Sequence, residues 1–339
     1  MSPTALRHRG PLTAARLATI MVLLSAIVLL VILFALAIGS VRVSPAHVFA
    51  ACTGIGDASE SDRIIVLAIR LPRVLLALIV GAGLSVAGAM LQAMLRNPLA
   101  EPYILGISSG GTMGTILVAV LASGSGLLLG PAASFAGSAL VMFLVYILAH
   151  RRGRLDPYTL LLAGVMVGAF FNAAVLLTYA MFNQELRSAF LWLMGNLSTA
   201  QTGTLLIAAP LTLLGVGVAA MDVRRYNLIA TGEETAAQLG VNVRALRKRT
   251  YVLASLITGA VVSVSGVIGF VGLIIPHICR MIFGPDHRVL LPASFLLGGA
   301  FLVLADVIAR TIMAPTEIPV GAVTAALGAP VFVYLLRKQ

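Results

Sequence analysis

Most of this sequence consists of long stretches that contain no charged residue and no histidine. Eight such stretches, each at least 17 residues long, cover 17–41, 74–95, 102–149, 157–184, 188–221, 250–276, 289–305 and 318–336. A transmembrane helix needs about 20 mostly apolar residues. In lipid, backbone polar groups must be bonded within a helix or a closed barrel, and barrel strands would alternate apolar and polar residues. The stretches therefore predict an all-α integral membrane protein.

Dividing the longer stretches predicts about ten spans in a single transmembrane domain, 1–339. Residues 102–149 are too long for one crossing, and the turn signal Ser123–Gly126 divides them. Residues 188–221 predict a short helix that leads into a span, with the division near Gly195–Ser198. Around 266–288, where Pro276 interrupts an apolar segment, we expect a short or broken span.

The positions of basic residues predict the orientation of the spans, because Lys and Arg stay preferentially on the cytoplasmic side. The basic segments are the N-terminal tail 1–16, the loops 150–154 and 222–249, and the C-terminal tail. With ten spans and an internal N-terminus, all four segments and both termini are cytoplasmic. The net charge of +11 follows from this topology, so we expect no nucleic-acid partner.

Several kinds of chemistry are missing from the sequence. Neither lysine follows a glycine, so a Walker A loop for ATP is absent. There is no H-E-x-x-H motif and no cluster of Cys and His, and Cys52 and Cys279 are expected at different depths. His277, beside Pro276, is not expected to bind a metal. We therefore expect no catalytic residue, metal site or cofactor in this chain.

Ionisable residues inside the spans are also scarce. Asp306 is the one acid deep in a predicted span, and Arg310 follows one helical turn later, where the two side chains are expected to neutralise each other. Ion-coupled carriers usually contain more such groups. This pattern argues against a carrier of that class, without excluding one.

A short pattern of small residues occurs twice. Gly81-Ala82-x-x-Ser85-Val86-x-Gly88 recurs 178 positions later as Gly259-Ala260-x-x-Ser263-Val264-x-Gly266. At the same offset, Pro98 corresponds to Pro276 and Gly106 to Gly284. This offset equals five spans, so the two halves would have opposite orientations, as in many transporters. Close helix packing through small residues is the alternative explanation.

The polar loop 222–249 contains a predicted helix. Thr231 and Glu234 form a capping-box pattern, and Gly240 is a stop signal. A two-turn helix outside the membrane would suit docking of a soluble partner, although a plain surface helix has the same pattern.

The segment Gly232–Val241 resembles the ATPase-coupling segment of FecCD-type permeases, the membrane subunits of type II ABC importers for ferric siderophores, haem and cobalamin. The resemblance extends from about residue 65 to the end of the chain. Its further segments are Arg70–Arg73, Gly88–Gln92, Asn97–Pro102, Leu105–Gly110, Leu161–Gly164, Trp192–Gly195, Gly269–His277, Asp286–Arg288, Ala305–Arg310 and Glu317–Gly321.

This resemblance implies a BtuC-like permease fold with ten spans, in a homodimer in the bacterial inner membrane. It implies two ATP-binding cassette subunits, which hold ATP and Mg and make this chain a non-catalytic subunit, and a periplasmic substrate-binding protein. The stretch Phe283–Pro292 is most similar to haem permeases. Ferric siderophores and cobalamin stay open as cargo, and an ion-coupled secondary carrier is the alternative from another class.

The resemblance also implies roles for individual residues. The residues expected to couple to the ATPase are Gly232, Glu233, Glu234, Ala236, Leu239, Gly240 and Val241. The residues expected to dock the binding protein are Arg70, Arg73 and Arg310. The residues expected to line the translocation path or its inner gate are Pro157, Tyr158, Thr159, Asn172, Tyr179, Asn183, Arg187 and Trp192.

Overall fold

The computed structural model describes residues 12–121, 128–151, 154–182, 194–198 and 202–337. Almost all of this part of the chain is helical. The α-helices are α1 (Ala14–Ala37), α2 (Pro45–Thr53), α3 (Glu60–Arg63), α4 (Leu71–Leu95), α5 (Ile107–Leu121), α6 (Leu129–Ala149), α7 (Pro157–Met181), α8 (Thr202–Ala220), α9 (Val223–Thr231), α10 (Glu233–Gln238), α11 (Val243–Ser265), α12 (Val271–Phe283), α13 (His287–Thr311) and α14 (Val320–Arg337).

Four further short elements complete the described structure. A π-helix, Ile64–Arg70, joins α3 to α4, and a 3₁₀-helix, Pro102–Leu105, precedes α5. The strands β1 (His150–Arg151) and β2 (Arg154–Leu155) form a short antiparallel ladder between α6 and α7.

The ten predicted spans each correspond to a helix. Within the described residues, six helices are long and apolar enough to cross a membrane: α1, the continuous helix Glu60–Leu95, α6, α7, α8 and α13. Three shorter apolar helices are α5, α12 and most of α14. The tenth, α11, is basic in its first turns and apolar afterwards. The turn predicted at Ser123–Gly126 lies outside the described residues, between the end of α5 and the start of α6.

The short span predicted around 266–288 is confirmed by α12, which has 13 residues, but Pro276 does not interrupt it. Pro276 lies inside α12, and so does the buried His277. The break comes earlier, between α11 and α12, where Gly266 and Phe270 both have positive φ angles, of 68° and 69°. A proline inside a helix removes one backbone hydrogen bond, and α12 continues through this loss.

Burial divides the helices into a centre and a periphery. The most apolar window of the helix Glu60–Leu95 is 83% buried and that of α13 is 61% buried, whereas the values for α1, α6, α7 and α8 are 17–28%. The central pair can bury small residues against each other. The outer helices expose apolar side chains, which suits contact with lipid.

The packing of the helices has the symmetry that the repeat predicts. Helix α4 packs against α12 and α13, while α11 packs against α5 and α6, and α4 and α11 also pack on each other. Gly81 of α4 faces Gly298 of α13, and Gly259 of α11 faces Ser138 of α6. Pro98, however, lies between helices whereas Pro276 lies within one, so this pair is not structurally equivalent.

Candidate functional site

The coupling segment, Gly232–Val241, forms a short helix at one end of the bundle, which we call the coupling end. Ala236 is fully buried, whereas Leu239 is 61% exposed. After Leu239, Gly240 adopts φ 83° and donates its N–H to the Ala237 carbonyl (3.0 Å), and Val241 donates to the Ala236 carbonyl (2.9 Å). These two bonds form a Schellman motif, so the predicted stop at Gly240 is confirmed.

The predicted capping box is wrong. Thr231 is the last residue of α9, and its hydroxyl donates to the Leu228 carbonyl (2.8 Å) rather than capping α10. The N-cap of α10 is Gly232, with φ 136° and ψ 149°, a conformation that favours glycine. The pattern failed because the preceding residues are themselves helical, which leaves Thr231 in the wrong conformation for a cap.

Two ties hold the coupling segment to the rest of the protein. The Glu233 carboxylate forms a salt bridge with Arg247 of α11, whose side chain is mostly buried. The segment also follows directly from α9, which is fixed by Tyr226: its hydroxyl lies 3.1 Å from that of Thr250 in α11. Helix α10 is therefore attached to both α9 and α11.

Helix α9 also contacts the start of α13. The Asn227 side-chain amide donates to Asp286 (2.8 Å), and its carbonyl oxygen accepts the backbone N–H of His287 (2.8 Å). Sequence reasoning missed α9 and Asn227. The spacing of Tyr226 and Ile229, both buried in the structure, was the signal that could have indicated an amphipathic helix.

Asp286, the N-cap of α13, gives this contact a dependence on pH. Its hydrogen bonds, above all with the Arg288 side chain, lower its pKa from 3.8 to about 2. Because the pKa falls on folding, the stabilisation is present above about pH 4 and is lost as the pH falls toward 2. We expect the unfolding temperature of Asp286→Asn to depend less on acidification than that of the wild type, since asparagine still caps a helix but does not titrate. Equal acid sensitivity of the two proteins in a thermal-shift assay would contradict this.

The other end of the bundle holds a group of five charged residues, which we call the arginine cluster: Arg70, Arg73, Asp306, Arg310 and Glu317. Arg73 occupies its centre. Its Nε lies 2.9 and 3.0 Å from the two carboxylate oxygens of Asp306, and its Nη1 lies 2.9 Å from Oε1 of Glu317. The predicted pair of Asp306 and Arg310 is present at 3.7 Å, but Arg73 is the nearer partner of Asp306.

The other two arginines cap the end of α1. Nη1 of Arg70 donates to the carbonyls of Leu36 (2.6 Å) and Ala37 (3.0 Å), and Nη2 of Arg310 donates to the carbonyl of Ala35 (2.6 Å). The last carbonyls of a helix have no partner within it and carry partial negative charge. The cluster therefore ties α1 to α4 and α13.

All three arginines that were predicted to dock a partner lie at the same end, but they are buried. Their exposed fractions are 4% for Arg70, 8% for Arg73 and 5% for Arg310. The side chain of Glu317 is 40% exposed and stands between Arg73 and solvent. Docking by these arginines stays a prediction.

Five of the predicted gate and path residues lie in α7. Pro157, Tyr158 and Thr159 form its first turn, where the Asp156 carboxylate accepts the backbone N–H and the hydroxyl of Thr159, both at 2.7 Å. Tyr158 and Asn172 are exposed and Tyr179 is half-buried, all on one face of the helix. The predicted residues Asn183, Arg187 and Trp192 lie outside the described part of the chain.

Two central helices join the coupling end to the arginine cluster. Arg73 lies in the first turn of α4, and α13 runs from Asp286, beside α9, to Arg310 in the cluster. Each helix has 25 residues, which corresponds to a length of about 37 Å. The structure therefore connects the two candidate sites through the most buried pair of helices.

The sequence of this chain is similar to those of known transport proteins. The FecCD transport family matches residues 27–338. A cobalamin import system permease protein from Halobacterium salinarum is 45% identical over 83% of this chain and 75% of its own length. A hemin transport system permease protein from Yersinia pestis is 42% identical over 92% of this chain and 94% of its own length.

A solved structure gives the same result for the fold. It is described as an inward-facing conformation of a protein assigned to the metal-chelate type of ABC transporter, and it superposes with a TM-score of 0.85 at 31% identity, over 95% of this chain and 100% of the other. The family match in sequence extends over residues 27–338, and the match in structure covers nearly the whole chain. This chain therefore belongs to the FecCD transport family.

Proposed function

We propose that this chain is the permease subunit of an ATP-driven importer that moves a ferric chelate, with haem as the first candidate, across the bacterial inner membrane into the cytoplasm. The observation that carries this proposal is the coupling segment. It displays Glu234 and Leu239 at the surface, while buried Ala236 and the salt bridge from Glu233 fix its position. This is the geometry that a rigid coupling element requires.

In this proposal, the coupling segment contacts an ATP-binding cassette subunit that carries ATP and Mg. When ATP binding favours a different arrangement of two such subunits, the segment moves with them, and α9 passes the displacement to α11 and α13. Binding energy shifts the transporter between conformations because the two states bind ATP with different affinity. Both termini are cytoplasmic, and this chain contributes no catalytic group.

The translocation path would run along the axis of a homodimer, beside α7. Support comes from the exposed face of this helix, where Tyr158 is 77% and Leu176 66% exposed in the single chain. Asn172 and Tyr179 lie along this face and would give the path polar groups. Pro157–Thr159 would form its inner gate.

A periplasmic substrate-binding protein would dock at the arginine cluster. The cluster contains three arginines and two acids, so it carries an excess positive charge. An acidic side chain on the binding protein could replace Glu317 at Arg73, whereas Arg70 and Arg310 are engaged with backbone carbonyls of α1. We therefore expect Arg73 to contribute most to docking.

The names of related proteins bear on the choice of cargo. Relatives of similar identity include one whose name gives cobalamin and one whose name gives hemin, and two others at 35% and 36% identity carry the names of Fe(3+)-citrate and iron(3+)-hydroxamate permeases. The hemin relative matches almost its full length, and we place haem first for that reason and for the stretch Phe283–Pro292. Ferric siderophores and cobalamin follow.

Uptake into proteoliposomes tests the proposal. The chain is reconstituted with its ATP-binding and substrate-binding subunits, and the uptake of haem, a ferric siderophore and cobalamin is compared with and without ATP. We expect ATP-dependent uptake of one cargo. Uptake that needs no ATP and follows an ion gradient would show that the chain is a secondary carrier and would overturn the proposal.

Variants of the coupling segment sharpen this test. Glu234→Lys together with Leu239→Asp alters the exposed surface and leaves the salt bridge of Glu233 intact, so we expect it to abolish ATP-driven uptake and co-purification of the ATPase. Glu233→Lys should have the same effect but also breaks the internal tie to Arg247. The control is Glu60→Lys, an exposed residue in α3, which should retain the ATPase. Normal uptake by the double variant would show that coupling occurs elsewhere.

A further inference from the structure

A groove lies between α8 and α13 at the coupling end of the bundle, away from the coupling segment. Its walls are apolar and are formed mainly by Leu213, Val216 and Gly217 of α8 and by Leu291, Pro292 and Phe295 of α13, and α1 adds Leu17. The groove has a volume of about 680 Å³. Gly217 shows that the space is open, because a Cβ atom added there would meet nothing within 4 Å.

Two arginines stand at the mouth of this groove. Arg224 comes from the first turn of α9 and is exposed, and within the described residues it has no salt bridge or hydrogen bond. Arg288 comes from the first turn of α13, is 49% exposed, and holds the Asp286 carboxylate with its Nε at 2.9 and 3.0 Å. The mouth therefore carries one more positive than negative charge.

The position of the mouth matches the depth of lipid head groups. Helix α8 ends at Ala220 and α9 begins at Val223, so the arginines lie where an apolar helix leaves the membrane. From there the apolar walls extend back along α8 and α13 toward the middle of the bilayer. Basic pockets between transmembrane helices are known to bind anionic head groups, and the planar guanidinium of arginine suits a phosphate.

We infer that this groove binds one anionic phospholipid, with the phosphate on Arg224 and Arg288 and an acyl chain between α8 and α13. A free phosphate ion would use the arginines but not the apolar walls. The segment of this chain that precedes α1 would not complement the charge, because residues 1–13 contain Arg7 and Arg9 and no acid. A lipid satisfies both the charge and the walls.

The bound lipid would hold together the helices at the coupling end. It contacts α8, α9 and α13 together, and α9 leads directly into the coupling segment. The lipid adds to the contacts of Asn227, which join α9 to α13 from the protein side. This inference concerns a lipid site and does not depend on the identity of the cargo.

Native mass spectrometry of the full-length purified protein tests the head-group contact. We expect phosphatidylglycerol to bind more tightly than phosphatidylcholine, and Arg224→Gln to lower the affinity for phosphatidylglycerol about fivefold. The affinity for phosphatidylcholine should fall less, because its choline group already offsets the charge of its phosphate. The matched control is Arg225→Gln on the same helix, since Arg225 pairs with Asp222 at 2.5 Å and does not line the groove. An equal loss of phosphatidylglycerol in both variants would show general surface attraction and overturn the inference.

A second variant tests the acyl-chain contact. Gly217→Leu places a side chain in the open space of the groove, and leucine is favoured over glycine in a helix, so the protein is expected to fold. Both lipids should then be lost from the site, although the two arginines are intact. Undiminished binding of phosphatidylglycerol to a correctly folded Gly217→Leu protein would show that no acyl chain occupies the groove.

Discussion

Replacement of Asp306 by alanine is expected to destabilise the protein by about 3–5 kcal/mol. The side chain of Asp306 is 1% exposed and accepts hydrogen bonds from Arg73, with Arg310 nearby at 3.7 Å. Its removal leaves two guanidinium groups buried, with Glu317 as the remaining acid of the cluster. Leaving a buried charge without its partner is far more costly than losing an exposed ion pair.

Thermal unfolding in detergent, followed by gel filtration, measures this effect. The matched control is Glu317→Gln, because Glu317 also contacts Arg73 but is 40% exposed, and we expect a loss of about 1 kcal/mol or less. The double variant Arg73→Met with Asp306→Leu removes both charges. It should therefore recover much of the stability that Asp306→Ala loses relative to the wild type. If Asp306→Ala unfolds at the wild-type temperature, the cluster does not hold α1, α4 and α13 together.

Replacement of Gly88 by alanine is expected to cost about 1–3 kcal/mol, and replacement by valine more. A Cβ atom at Gly88 would lie 1.8 Å from the carbonyl oxygen of Gly272 in α12. This contact involves backbone on both sides, so no flexible side chain can move away, and the helices must separate. In a regular α-helix, the Gly272 carbonyl would accept a hydrogen bond from the backbone N–H four residues later. That residue is Pro276, which has no N–H, so the Gly272 carbonyl has no such partner and lies against α4.

The control for Gly88 is a glycine of a peripheral helix. A Cβ atom at Gly130 of α6 would meet nothing within 4 Å, so Gly130→Ala should be neutral or slightly stabilising, since alanine is favoured in helices by about 0.5–1 kcal/mol. Thermal unfolding and the yield of folded protein would compare the two variants. Similar stability of Gly88→Ala and Gly130→Ala would show that α4 and α12 do not pack as described.

Local sequence patterns determined the spans and the coupling segment. Whether a helix crosses a membrane depends on about 20 consecutive residues, so the uncharged stretches were sufficient to indicate nine spans, and the apolar part of 266–288 indicated the tenth. The stop at Gly240 was equally local, because a Schellman motif involves six neighbouring residues. The predicted N-cap of α10 was wrong because the pattern was too local. One threonine and one glutamate could not reveal that the residues before them already form α9.

Only the tertiary structure decided which charged groups meet. Arg73 and Asp306 are 233 positions apart, and the sequence paired Asp306 with Arg310 because that partner is one turn away. The burial of Arg70, Arg73 and Arg310 depends on where α1 ends relative to α4 and α13, which no local pattern encodes. The same holds for Pro276, which looked like a break. The sequence by itself determined features that depend on neighbouring residues, such as spans and helix ends. Helix packing decided which buried carbonyls, acids and arginines become partners, because each of these groups requires a partner once it is removed from water.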